Sequence, residues 1–133
     1  MKLPIGKMNR TFLKLPCVIL ALNHKTAKED IQYLEKEQLR DFTMVKGVYK
    51  GQKENAYIIP IYQTNINKLY DIARKHRQES ILYIDNTNNA ELLYCDESKK
   101  IKLGNFVEVP KAEAEKQDCY THMPLTDKYY ITK

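Results

Sequence analysis

Several features that would identify a protein class are missing from this sequence. Its 133 residues contain no Trp, four Gly, three Cys and no apolar run long enough to span a bilayer. The few glycines form no phosphate-binding loop, and no nucleophile-elbow motif is present. The odd, sparse set of cysteines is unlike a disulfide scaffold and favours a reducing compartment. The balance of 43% hydrophobic and 29% charged residues indicates a folded protein of about one domain.

The net charge of +5 belongs to the N-terminus. Residues 1–25 contain basic side chains and no acidic one, and the rest of the chain is balanced. A basic stretch followed by the apolar run Leu15–Leu22 loosely imitates a signal peptide, but no small-x-small cleavage site follows it. We therefore interpret 1–14 as a basic arm, 15–109 as the folded domain and 110–133 as a tail with a short final strand over 128–132.

Hydrophobic periodicity divides the domain into strands and helices. The continuous apolar run Cys17–Leu22 predicts a strand covered on both faces. A capping box at Thr26 and Glu29 opens a helix over 27–41, and a second helix begins after Thr64 or Asn65. Strands are expected over 43–49, 55–61, 80–84 and 90–95, with Gly51 in a hairpin turn and one or two further strands over 101–109. Residues 110–126 are polar and weakly helical.

This order of elements predicts an α+β fold. The sequence β-α-β-β-α-β followed by a hairpin is that of a ferredoxin-like split βαβ sandwich with an added C-terminal β-hairpin. In that fold the first and third strands occupy the middle of the sheet. They are also the two most apolar strands of the predicted unit, which favours the assignment.

One stretch of the chain resembles a known family. The shared pattern is a glycine, a turn, a glutamate, an apolar strand, a helix and a Gln-x-Ser strand. It runs through Lys46–Gly51, Glu54–Pro60, Leu69, Ile72–Ala73, Arg77–Tyr83 and Leu93–Tyr94. Over about 18–94 the chain thereby resembles the bacterial and phage domain-of-unknown-function family numbered 3293. The resemblance implies a bacterial or phage origin and no particular activity.

Polar residues within the matched stretch are the first candidates for a binding site. The hairpin supplies four of them, and the connection between the second helix and the next strand supplies two. Polar loop residues have less packing reason to be present than core residues, which favours function. The alternative is that they cap a helix and pair across a hairpin. The hypothetical binding set is Lys46, Tyr49, Lys50, Glu54, Gln78 and Ser80.

A basic face is the second candidate. Residues 46–77 are strongly basic and 78–98 are acidic, so the chain is electrically polarised. A basic arm and a basic helix end can contact phosphates, and nearby tyrosines can stack on bases. The nucleic-acid set is Arg10, Lys14, Arg74, Lys75 and Arg77. The same polarity also suits docking onto another protein.

Catalytic and metal sites have weaker support. Cys119 and His122 have a C-x₂-H spacing, but a single pair does not predict a zinc site. A metal-dependent nuclease site is a further hypothesis, for which the sequence offers the carboxylates Glu54, Asp85, Asp96 and Glu97. Their spacing in the chain neither supports nor excludes such a site. We therefore predict no catalytic residue, no metal and no cofactor.

The function predicted from these observations is a small non-enzymatic protein that binds a protein partner. Enzymatic activity stays open, although its motifs are missing. The alternatives are a nucleic-acid-binding protein and, second, a metal-dependent nuclease or small-molecule-binding enzyme. We expect no membrane association and a cytoplasmic location, in the host for a phage-encoded chain, and leave the oligomeric state open.

Overall fold

The computed structural model describes residues 15–133, which contain eight strands, three α-helices and one 3₁₀ turn. The strands are β1 (Cys17–Ala21), β2 (Thr43–Tyr49), β3 (Gln52–Pro60), β4 (Ser80–Ile84), β5 (Asn89–Tyr94), β6 (Lys100–Val109), β7 (Cys119–Met123) and β8 (Lys128–Thr132). The helices are α1 (Ala27–Lys36), α2 (Ile66–Lys75) and α3 (Lys111–Ala114), and the 3₁₀ turn spans Ile61–Gln63. The predicted arm, 1–14, lies outside the described residues.

The eight strands close into an antiparallel barrel. Their order around the barrel is β1-β3-β2-β7-β8-β6-β5-β4, and β4 returns to pair with β1. The predicted ferredoxin-like sandwich with an added hairpin is therefore wrong. An open sheet would end at β2 and β4, whereas here β7 pairs with β2 and β5 pairs with β4. Closure satisfies the backbone groups that the two edges of an open sheet would expose.

The apolar run at the start of the domain is confirmed as a strand covered on both faces. Along β1, alternate side chains such as Ile19 point into the barrel, where they pack with Val45 and Ile58. The intervening Val18 and Leu20 pack outside the barrel in a second cluster that includes residues of both long helices. All five residues of β1 are buried, which explains why the run lacks polar alternation.

The helices begin where their caps predict. The Thr26 side chain accepts a 3.2 Å hydrogen bond from the backbone N–H of Glu29, and Asn65 accepts one of 2.9 Å from Lys68. The first helix ends at Lys36, earlier than the predicted boundary at 41. Gln38 takes a φ of 64°, so the backbone turns left-handed and leads Leu39 into the core as a loop residue.

The C-terminal segment builds much of the barrel. Residues 110–133 contain α3, β7 and β8, of which sequence analysis predicts the last strand and misses β7. The stretch over 101–109 forms one long strand that starts at Lys100. It changes partner after Asn105, pairing with β5 up to that residue and with β8 from Phe106 onward.

Candidate active site

The β2–β3 hairpin carries a carboxylate and an aromatic ring on one face at the rim of the barrel. Its two-residue turn has Lys50 at a φ of 49° and Gly51 at 80°, as a type I′ turn requires. The register places Gly47 opposite Glu54 and Tyr49 opposite Gln52. Because strand side chains alternate, Tyr49 and Glu54 share the face that continues inward to Val45 and the barrel interior.

The electrostatics of this face suit a cation. Within 15–133, the Glu54 carboxylate makes no hydrogen bond and no ion pair, and the residue is exposed. The Tyr49 side chain is 58% exposed, and the Lys50 Nζ lies 5.3 Å from its ring centroid. A carboxylate binds ammonium groups by charge-assisted hydrogen bonds, and an aromatic ring attracts cations over its face. Together they offer two adjacent groups that attract cations, and a ligand cation at the Tyr49 ring would take the place that the Lys50 ammonium holds there.

Lys46 lies away from this pair. It precedes Gly47 on β2, so its side chain lies on the opposite face of the hairpin. There its Nζ donates a hydrogen bond to the Asn55 side chain across the strands. The hairpin therefore divides the predicted set, with Lys46 on the outer face and Tyr49 with Glu54 on the inner one.

Gln78 and Ser80 are also separate from the hairpin pair. Ser80 begins β4, which is separated from β3 by β1. The Gln78 side chain donates a 3.3 Å hydrogen bond to the carbonyl of His76. Gln78 borders a depression of about 450 Å³, whose lining is Arg74, Arg77, Gln78, Glu79, Tyr94, Cys95 and Asp96.

The basic helix end is tied into the fold. Arg74 donates to the carbonyl of Cys95 at 2.7 Å and forms ion pairs with Asp71 at 2.9 Å and Glu97 at 3.3 Å. Part of the acidic segment therefore neutralises part of the basic one. Lys75 and Arg77 are exposed, and Arg10 and Lys14 lie outside the described residues. Nucleic-acid binding stays a prediction that rests on the remaining cations.

The metal and nuclease hypotheses receive no geometric support. Residues three apart on a strand point to opposite faces, so Cys119 and His122 on β7 diverge. The His122 ring instead lies 2.9 Å from the Asp127 carboxylate. Across 15–133, no group of three His, Cys, Asp or Glu side chains is arranged to hold a metal ion.

A buried polar cluster lies on the outer face of the barrel, beneath α1. The Asp30 side chain is 2% exposed, and its oxygens lie 2.6 Å from the Tyr57 hydroxyl and 2.8 Å from the His24 Nδ1. Burial, with the hydrogen bond to Asp30, raises the pKa of Tyr57. No role for Asp30 in this cluster was predicted from the sequence. The available signal was its spacing, because Asp30 and Leu34 fall on one helix face.

Comparison with known proteins identifies the family of this chain. Residues 21–133 match the S-Adenosylmethionine lyase family. The chain belongs to this family. No curated protein matches the chain at a significant level.

Membership of the S-Adenosylmethionine lyase family corrects two predictions. The resemblance to the family numbered 3293 is wrong, since the match over 21–133 is to a different family. The prediction of a non-enzymatic interaction protein is also wrong, because the family is one of lyases. The alternative of a small-molecule-binding enzyme agrees better with the match. The match spans the entire β2–β3 hairpin.

The remaining expectations concern location and partners. Among residues 15–133, no helix combines the length and the apolar character needed to cross a membrane. Cys17, Cys95 and Cys119 are all free thiols. A protein partner stays a prediction.

Proposed function

We propose that this chain cleaves S-adenosylmethionine as a lyase and that Tyr49 and Glu54 bind the substrate at the barrel rim. The observation that carries the proposal is the family match, which includes this hairpin. S-Adenosylmethionine carries two positive groups, an ammonium and a sulfonium, separated by a short carbon chain. The hairpin supports binding of both, because it presents a free carboxylate beside an exposed aromatic ring.

The spacing of the hairpin pair fits this assignment. Residues diagonal to each other across an antiparallel pair are about 7–8 Å apart at their backbones, and their side chains lean closer. Glu54 therefore receives the substrate ammonium while the Tyr49 ring lies against the sulfonium. Both contacts hold the methionine portion in a defined conformation on the strand surface.

A lyase breaks a bond without consuming water or a redox partner. In S-adenosylmethionine the carboxylate oxygen attacks the γ-carbon, a C–O bond forms, and the C–S bond breaks with its electron pair moving to sulfur. The products are homoserine lactone and neutral methylthioadenosine. Opposite charges disappear in this step, so restricting water and fixing the folded substrate conformation both accelerate it. The residues of the site bind and orient, and the substrate supplies its own nucleophile and leaving group.

The test is cleavage of S-adenosylmethionine by the purified chain, followed by chromatography of methylthioadenosine. We expect the wild type to form it in a stoichiometric ratio to homoserine lactone. Glu54→Gln removes a charge-assisted hydrogen bond worth about 2 kcal/mol, so kcat/KM falls roughly 30-fold. Glu35→Gln, the same change on the exposed side of α1, is the matched control and retains wild-type activity.

Two outcomes contradict the proposal. Absence of methylthioadenosine in wild-type reactions rejects the lyase activity. Equal kcat/KM for the Glu54 and Glu35 variants rejects the hairpin as the substrate site. A cytoplasmic location, the host's for a phage-encoded chain, is also part of this proposal, and the three free thiols support it.

A further inference from the structure

Gly47 is a glycine that its own fold does not require. It lies inside β2, paired with Glu54 of β3 on one side and Thr121 of β7 on the other. A glycine within a strand weakens it, because it loses more backbone entropy on folding and offers no side chain to pack. Strand stability therefore does not explain why a glycine occupies this position in a fully paired strand.

Two other described glycines have structural reasons. Gly51 takes a φ of 80° in the hairpin turn, and a side chain there is strained. Gly104 takes a φ of 86°, and a Cβ built on it would lie 2.5 Å from the carbonyl oxygen of Lys133. Both positions exclude other residues by backbone geometry or by close contact.

Gly47 meets neither condition. Its backbone φ lies outside the left-handed region. A Cβ added to it would meet Glu54 alone, at 3.9 Å from the Cγ and from the backbone oxygen, which is ordinary van der Waals contact. The fold has room for a methyl group at this position, so neither strain nor crowding within the chain explains the glycine.

The empty space lies between the two substrate-binding side chains. Gly47 is directly opposite Glu54, and Tyr49 is two residues along the same strand on the same face. A glycine in a strand marks a place where a ligand approaches the backbone closely. The line from Glu54 to Tyr49 passes between Gly47 and Gln52, the other two residues on this face, so a molecule that contacts both lies beside the Gly47 backbone.

We infer that Gly47 is a substrate-binding residue whose missing side chain admits the carbon chain of the substrate's methionine portion against β2. This inference rests on the proposed function. The ammonium at Glu54 and the sulfonium at Tyr49 are joined by that carbon chain, which lies flat on the backbone of Gly47. A methyl group there lifts the substrate from the strand and separates it from both partners.

The experiment compares stability and kinetics in one variant. Gly47→Ala is expected to melt at or above the wild-type temperature, because the strand gains a side chain and the unfolded chain loses freedom. Its KM for S-adenosylmethionine is expected to rise roughly tenfold or more, as overpacking of a fitted contact does. Gly47→Val extends the series and is expected to raise KM further. Lys53→Ala, on the outer face of the same hairpin, is the control and keeps wild-type KM.

Each remaining outcome decides against the inference or against its basis. A Gly47→Ala variant with wild-type KM and kcat overturns the inference and leaves the lyase activity intact. A clear fall in melting temperature shows that the fold itself requires the glycine, which also overturns it. An inactive wild type rejects the proposed function, and the inference fails with it.

Discussion

The β2–β3 hairpin carries two tyrosines that lie near carboxylates, and the two pairs have opposite environments. Tyr57 is fully buried, and its hydroxyl donates a 2.6 Å hydrogen bond to Asp30. Tyr49 is 58% exposed at the far end of the same hairpin, where Glu54 has no partner among residues 15–133. Each pair consists of a tyrosine and a carboxylate, and the pairs differ in burial and in whether the polar atoms have hydrogen-bond partners.

This difference distinguishes a pair that stabilises the fold from a pair that is available to a ligand. A buried carboxylate must be paired, so Asp30, Tyr57 and His24 form a closed set with little capacity for a ligand. An exposed, unpaired carboxylate keeps its hydrogen-bonding capacity and is available to a substrate. Substitutions in the two pairs should therefore affect different measurements, namely stability for the buried pair and catalysis for the rim pair.

The largest expected effect is on stability, at Asp30. Asp30→Ala removes the acceptor of two hydrogen bonds and leaves the Tyr57 hydroxyl buried without a partner. We expect the free energy of unfolding to fall by about 3 kcal/mol, measured by urea denaturation. Tyr57→Phe should cost less, about 1–2 kcal/mol, because the carboxylate keeps His24. A loss below about 1 kcal/mol for Asp30→Ala would erase the contrast between the two pairs.

The rim tyrosine should show the reverse behaviour. Tyr49→Ala removes the ring that we propose to contact the sulfonium, and we expect KM to rise about tenfold, which corresponds to about 1.4 kcal/mol. Tyr49→Phe keeps the ring and should retain a KM within about threefold of wild type. Both variants should unfold at wild-type urea concentrations, since the side chain is exposed. A Phe variant as defective as the Ala variant would mean that the hydroxyl, not the ring, binds the substrate.

The cysteines extend the comparison between interior and rim to the pH dependence of stability. Burial raises the pKa of Cys17 to about 12 from a value of 9.0. Below pH 9 the thiol is protonated in both states, and above it only the unfolded thiol ionises, so stability falls with rising pH. Between pH 8 and 10 this single group should account for about 1 kcal/mol.

Measurement of Cys17→Ala beside the wild type isolates that contribution. The packing cost of the substitution is present at both pH values and cancels, so the variant should lose about 1 kcal/mol less on going from pH 8 to 10. A thiol reagent should modify Cys119 in the native protein and spare Cys17, since Cys119 is exposed and Cys17 is 1% exposed. Parallel pH curves for the two proteins would contradict the assignment.

Local structure was largely predictable from sequence because it depends on neighbours in the chain. The strands at 43–49, 80–84 and 128–132 have the predicted bounds, and the caps at Thr26 and Asn65 begin their helices as expected. The missed strand, β7 (Cys119–Met123), contains polar residues and lies within a polar segment of the sequence, so no apolar run marks it. Its place between β2 and β8 supplies the partners that its own pattern does not indicate.

The candidate site was predictable in composition and not in arrangement. Tyr49 and Glu54 were both named from the hairpin, and alternation along β2 and β3 already implied a shared face. The set also included Lys46, Gln78 and Ser80, which the structure places on another face or beyond another strand. The positions of these residues in the chain did not predict this separation, because the order of strands in a sheet is not their order in the chain.

The sequence by itself determined the elements of this protein: an apolar first strand, two capped helices, a tight hairpin with Gly51 at its turn, and a tyrosine and a glutamate at its tip. Tertiary structure decided that the sheet closes, that Asp30 is buried against Tyr57 while Glu54 is free, and that Gly47 has unfilled space above it. The physical reason is that hydrogen-bonded edges, burial and empty volume are properties of pairs of distant segments. No local pattern of residues encodes them.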